Sequence, residues 1–321
     1  MSNIIEQLTL TSHFLNIVVG LLLFIFGVTG NFLTIYIFTR ATFRNAPSVR
    51  YLLAGSIASL IQLFQTLLPR ILGDGFGIPI INSSTLQCQI RITIASVATL
   101  CSISFPCWAS FDHFVSTSSN AAIRHYWTSK KLIYRAILIT VIFWLIIFLP
   151  VNMVSRAVGE SCIGNNIILS SVYSYGIIPL TYSILPIIAI IYFNRGIVRH
   201  LKQSRIVGYN QTRNRLVKQV RRMLIPQLMI IIISGIPFSI NTIYSISTSS
   251  IHKDPLRLAI ESLILQLVRL LFYLNYVCSF YIYILMSSEI RQEFKRIFCK
   301  QNLILPQNST VNASRIIPIK T

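Results

Sequence analysis

The chain has 321 residues, 54% of them hydrophobic and only 11% charged, with a formal net charge of +20. That balance excludes an ordinary soluble domain and a disordered chain, and it fits a membrane protein. A strongly basic chain can bind nucleic acid, but here the positive charge gathers at the ends of apolar segments, where anionic lipid headgroups meet it, so no nucleic-acid partner is expected.

Seven apolar runs follow in chain order: Phe14–Phe38, Tyr51–Leu72, Ile90–Val115, Leu132–Val154, Ile167–Phe193, Met223–Ile246 and Leu258–Met286. Each reaches or exceeds the roughly 20 residues that cross a ~30 Å hydrocarbon core at about 1.5 Å per residue. The gaps after runs one, three and five, with the C-terminal tail and Arg135 in the first turn of run four, hold 22 of the 28 basic residues. The opposite gaps and the run ends beside them hold Arg70, Arg91, Arg156, Lys253 and Arg257 against Glu6, Asp74, Glu160, Asp254 and Glu261, a balanced set. The positive-inside rule then predicts an extracellular N-terminus and a cytoplasmic C-terminus, the layout of a seven-helix receptor in the plasma membrane. The first run is too long for the apolar region of a cleavable signal, and nothing basic precedes it.

The fold class read from this pattern is an all-α membrane protein, a single bundle over residues 14–299. A short extracellular tail over 1–13 precedes it, and a disordered cytoplasmic tail over 300–321 follows. Basic residues Arg195, Arg199 and Lys202 share one helical face, and Arg215, Lys218 and Arg222 another. Helices five and six are therefore expected to extend past the membrane and meet in a turn near Val207–Tyr209. After the seventh run, Ser287 or Ser288 caps a short helix over about 288–299. Ile290, Phe294 and Ile297 form its apolar stripe, and Arg291, Lys295 and Arg296 lie elsewhere on it, as in a helix that rests on the inner leaflet. Cys299 ends it, either as a palmitoylation site or as a free thiol.

Cys101, Cys107 and Cys278 fall inside apolar runs and read as packing residues. Cys88 and Cys162 are the pair with an extracellular address, so a Cys88–Cys162 bridge is expected to tie the second outer loop across helix three. Asn82 begins a glycosylation sequon on the same side.

Other residues fall into a pattern at consistent spacing: Gly30-Asn31 in run one, Trp144 in run four, Pro186 in run five, Pro237 in run six, the triplet Asp112-His113-Phe114 starting 24 residues after Cys88, and Tyr283 closing Ser279-Phe280-Tyr281-Ile282-Tyr283. With these the sequence resembles the rhodopsin-like (class A) G-protein-coupled receptors, and most of all divergent, peptide-receptor-like invertebrate members. The resemblance implies an extracellular ligand, expected to be a neuropeptide or other peptide, and a heterotrimeric G protein as partner. It also implies that Asp112, His113, Phe114, Arg199, Lys218, Arg222 and Tyr283 belong to the switch and coupling region.

The departures from the family are as informative. Ser59 stands where the family has an aspartate, and His113 where it has an arginine. Ser234-Gly235-Ile236-Pro237 replaces Cys-Trp-x-Pro, and Ser279-Phe280 replaces Asn-Pro. These positions hold the off state and read the on state, so the alternative of a weakly coupled or non-signalling receptor stays open. Ala95 replaces the aspartate that binds amines, and Tyr273 the lysine that binds retinal. Arg91 and Arg269 are the two cations left near the outer cavity, and an ionisable residue inside a span points to function. Either could meet a ligand carboxylate. The structural alternative for Arg269 is to snorkel outward or to pair with Glu261. No metal spacing, phosphate loop or nucleophile elbow is present, so no cofactor and no enzymatic activity are expected. The span interiors lack the charged groups of a transporter or channel, which makes that the remoter alternative.

Overall fold

The computed structural model describes residues 2–44, 46–78, 84–116, 120–158, 161–164, 168, 171–189, 191–193, 195–196 and 211–298, some by backbone alone. Seven helices among them are long and apolar enough to cross a membrane. In chain order these are α1 (Ser2–Phe38), α3 (Pro47–Gly75), α4 (Thr85–Ser116), α6 (Lys130–Met153), α7 (Tyr175–Phe193), α8 (Gln211–Ser247) and α9 (Pro255–Val277). Shorter helices α2 (Ala41–Arg44), α5 (Ala121–Trp127), α10 (Ser279–Met286) and α11 (Ser288–Phe298) complete the described helical set.

Helix α1 departs from the sequence reading. Residues 2–13 continue it instead of forming a tail, so it runs 37 residues, about 55 Å at 1.5 Å per residue. A ~30 Å hydrocarbon core cannot cover that length, so its first turns stand clear of the apolar slab. The helix carries small and polar residues at Thr9, His13, Asn16, Gly20, Gly27, Asn31 and Thr34, spaced four and three apart or by seven, which places them on one face. From Asn16 onward that face is buried. A Cβ on Gly27 would sit 2.7 Å from Leu63 of α3 and 3.0 Å from Val277 of α9, so the missing side chain is what lets three helices meet.

The helices close into a ring. α1 packs on α3 and α9, α3 on α4, α4 on α6, and α8 on α7 and α9, with α4 also touching α8 across the middle. Helix α6 shows how the apolar sequence is divided: Ile133, Thr140, Trp144, Phe148 and Asn152 form its buried stripe, while Leu138, Ile139 and Ile146 point outward at 58%, 64% and 67% exposure. In water such exposure would drive aggregation; it is the surface a lipid tail covers. Two reciprocal bonds join α4 and α6. Trp144 Nε1 donates to Ser104 Oγ at 3.1 Å, and Trp108 Nε1 to Thr140 Oγ1 at 3.0 Å.

Two features lay outside the sequence reading. Strands β1 (Ser155–Val158) and β2 (Ser161–Gly164) form an antiparallel hairpin after α6, with Ala157 opposite Cys162. Helix α3 also contains π-helical turns at Leu63–Leu67 and Ile71–Gly75, and α7 one at Leu180–Ile184, with another, Val172–Ile177, leading into it. Such turns widen a helix locally and often sit at functional sites.

Candidate functional site

The bundle has two ends, one marked by Cys88 and the other by His113, at opposite ends of α4. Cys88 is fully buried and disulfide-bonded. The side chain of Cys162 lies outside the described residues; its strand touches α4. Gln89 fastens the start of the hairpin by donating from Nε2 to the carbonyls of Met153, at 2.7 Å, and Ser155, at 3.0 Å. Asn82 also falls outside the described residues.

At the Cys88 end, the two arginines singled out from sequence separate into different surroundings. Arg269 lines a cavity of about 440 Å³ between α1, the end of α3 and α9. The floor of this cavity is built from sequence-distant amides. Gln266 Nε2 donates to Asn16 Oδ1 at 2.8 Å, and Asn16 Nδ2 donates to the carbonyl of Arg70 at 3.2 Å. His13 Nδ1 lies 3.1 Å from the carbonyl oxygen of Asp74, and the Asp74 carboxylate accepts from Arg70 Nη1 at 3.4 Å. Arg91 lines a smaller recess instead, about 370 Å³ in size, with Gln65 and Gln87. Its Nη1 approaches the carbonyl of Gln65 at 3.4 Å. Pro69, four residues further on, has no N–H to give that carbonyl. Arg91 thus has a structural task that Arg269 lacks.

The pairing of Arg269 with Glu261 does not occur. Glu261 is held by Lys253 Nζ at 2.5 Å, by Arg257 Nε at 2.9 Å and by the Tyr244 hydroxyl at 2.8 Å, a clamp that closes the turn between α8 and α9. Ala95 and Tyr273 are both buried, and the Tyr273 ring packs on Tyr276.

At the centre of the bundle stands Gly235, where the resemblance would place a tryptophan in α8. A Cβ on Gly235 would lie 2.2 Å from the backbone oxygen of Tyr182, so α8 and α7 touch backbone to backbone there. No side chain, least of all an indole, fits between them. Aromatic contact moves instead to Tyr182, Phe238 and Phe272, whose rings stack at 4.6–5.8 Å. Pro186 is buried, four residues after Tyr182, and Pro237 is half-buried. Asn31 Nδ2 donates to the carbonyls of Gly27 and Tyr276, both at 2.8 Å, and so ties α1 to α9. The Tyr276 side chain is fully buried, next to Thr99 and Ser102 of α4. Ser59 is buried on α3.

At the His113 end, Asp112 and His113 are both buried, at 4% exposure each. The charge acting on Asp112 is Arg50 of α3, which also lies over the Tyr134 ring of α6 at 5.7 Å. Asp112 Oδ1 has no hydrogen-bond partner. The charge relation of Asp112 thus runs across helices, from α4 to α3. Phe114 is half-buried against Tyr192 and Phe193. Arg222 is exposed on α8, whereas Arg199 and the side chain of Lys218 lie outside the described residues, as does the turn at 207–209.

Tyr283 has a defined partner. Its hydroxyl donates to Gln227 Oε1 at 2.6 Å, and Gln227 Nε2 donates to Ser279 Oγ at 3.2 Å. All three residues are buried, so α8 is latched to the start and middle of α10. Helix α11 follows directly. The Ile290 N–H bonds Ser287 Oγ at 3.2 Å, and Phe294 packs on Phe280 at 6.1 Å. Cys299 lies beyond the described residues.

No protein-family model matches this sequence, and no curated protein is significantly similar to it.

Sequence reasoning missed Gln227, Asn16 and Gln266. For the last two a signal was present: the polar stripe of α1 continues through Asn16 and His13 to Thr9, and α9 carries Ala259, Ser262, Gln266 and Arg269 on one face. A polar face running past the end of an apolar window marks a helix that needs a polar partner. Gln227 gave no such signal, because one amide in a span has the same appearance whether it is latched or lipid-facing.

Proposed function

We propose that this chain is a plasma-membrane receptor of the rhodopsin-like G-protein-coupled type, with the Cys88 end outside. It takes an extracellular ligand, expected to be a peptide, at that end and acts on a heterotrimeric G protein at the His113 end. The observation that carries the reading is the polar latch of Gln227, Ser279 and Tyr283 at the His113 end, in a seven-helix ring whose polar cavity lies at the Cys88 end. A ligand that prefers the unlatched arrangement would shift the population toward it and part α8 from α10. In this reading Cys162 is the partner of Cys88, and the bridge pins the hairpin over the ligand entrance. Arg222, with Arg199 and Lys218, borders the G-protein cavity. Helix α11 rests on the inner leaflet, with Cys299 available to a lipid and Asn82 to a glycan.

The weakly coupled alternative has one observation in its favour. Asp112 is engaged electrostatically with Arg50, and His113 lacks the five-donor fork of an arginine. One experiment tests both. Wild type and His113→Arg, carrying an N-terminal epitope, are expressed in cells at equal surface density, and basal G-protein dissociation is measured. The epitope is expected to be readable on intact cells, and the arginine to raise basal activation above a measurable wild-type level. An epitope reached only after permeabilisation would overturn the receptor reading. Activation unchanged by arginine would overturn the claim that His113 limits coupling.

A further inference from the structure

We propose that the cavity between α1, α3 and α9 is a site for a carboxylate carried on a small apolar body, with Arg269 as its anchoring cation. The purpose of such a site rests on the receptor reading above; its chemistry does not.

Arg269 is half-buried and lines the cavity. Among the described residues it makes neither a hydrogen bond nor an ion pair. A guanidinium in that position loses hydration, and the carboxylate whose field reaches it, Asp74, is ion-paired with Arg70, whose own charge opposes it, so the fold holds a charge that an outside group would stabilise. The one carboxylate among the lining residues, Asp74, is engaged with Arg70 one turn earlier on α3 at 3.4 Å. The amides of the floor are also committed, Gln266 to Asn16 and Asn16 to the Arg70 carbonyl. They hold the shape of the cavity without neutralising its cation. Leu10 and Ala259 supply an apolar wall.

The same geometry selects the anion. A guanidinium offers two parallel N–H groups, the fork that a carboxylate accepts. A phosphate dianion would bring two negative charges into a cavity that Asp74 already lines, where a carboxylate brings one. The volume, about 440 Å³, suits a body of one or two residues. The site lies between α1, α3 and α9, where the length of α1 lifts its first turns above the hydrocarbon.

The test uses the purified full chain in detergent with three probes: N-acetyl-Leu-Phe as the free acid, the same dipeptide as the amide, and lysophosphatidate. Binding to the folded state alone raises the melting temperature by mass action. The acid is expected to raise it by a few degrees at about ten times its Kd, and the amide not at all. Arg269→Gln should abolish the shift, and Ala259→Phe, which fills the cavity while leaving the arginine in place, should abolish it as well. Arg91→Gln, which alters the neighbouring recess, should keep it. Equal shifts with acid and amide, no acid shift up to about 10 mM, or a shift surviving in both Arg269→Gln and Ala259→Phe would overturn the site. A larger shift with lysophosphatidate would overturn the carboxylate assignment. The measurement contains no G protein, so failure of the receptor reading leaves its outcome unchanged.

Discussion

The latch between α8 and α10 is the sharpest target for perturbation, because its three members are buried and its bonds are few. Tyr283→Phe removes only an oxygen. It leaves Gln227 Oε1 without the 2.6 Å hydroxyl donor it now has, in a place where Tyr283 is 1% and Gln227 6% exposed. An unsatisfied buried acceptor costs about 1–3 kcal/mol in soluble proteins. Bonds between membrane helices are weaker on average, about 0.6 kcal/mol with a maximum near 1.7. The expected loss for Tyr283→Phe is therefore about 1 kcal/mol. Gln227→Leu orphans both the tyrosine hydroxyl and Ser279 Oγ and should cost about 1–2 kcal/mol by the same reasoning. The double variant removes donor and acceptor together and leaves a serine that can turn back to its own helix. It should cost less than the sum of the two, with a coupling of about 0.6–1.7 kcal/mol. The assay is a double-mutant cycle on purified chain, unfolded by titration with SDS. Additive losses, with a coupling within about 0.3 kcal/mol of zero, would show that the bond contributes nothing and that the latch is only packing. A coupling of the expected size, with basal G-protein activation rising in Tyr283→Phe, would join the bond to the switch.

Other outcomes follow from particular contacts. Gly235→Ala places a methyl group 2.2 Å from the Tyr182 carbonyl, forcing α7 and α8 apart at a cost of about 1–3 kcal/mol; its melting temperature should fall, while Gly73→Ala, whose Cβ would meet nothing within 4 Å, should melt like wild type. Cys88→Ser and Cys162→Ser should each lose about 2–5 kcal/mol of stability and most surface expression, and the double variant should be no worse than either single; full surface folding of the double variant would argue against a structural bridge between them. Replacing sodium by a bulky organic cation at constant ionic strength should leave agonist affinity unchanged, because Ser59 and Ser279 bring no carboxylate and a hard cation buried there would lose hydration uncompensated; a sodium-specific drop in affinity would sink that argument.

The sequence by itself determined the seven spans, the short helix after them, and the faces on which charge collects. Apolar surroundings leave each backbone N–H and C=O no partner but its own helix, so every span had to be a contiguous apolar segment legible in one dimension. Helix α11 was legible for a related reason, since Ile290, Phe294 and Ile297 recur with helical period beside a serine cap. The ends were less so. The first turns of α1 lie outside the apolar window and looked like a tail, because hydropathy records burial in lipid and not the polar stripe that packs against α9.

Only the tertiary structure decided which polar groups meet. Arg91 and Arg269 looked equivalent as lone cations near the Cys88 end. The rotation of each helix about its own axis gave one to the Gln65 carbonyl beside Pro69 and left the other facing a cavity. Asp112 is next to His113 in sequence, but only the packing of α3 on α4 brings the charge of Arg50 to it. Gly235 looked like the loss of a tryptophan; the approach of α7 shows that no side chain fits there. Rotation and crossing angle are set by how side chains from several helices interdigitate, a property of the assembled ring that no single segment carries.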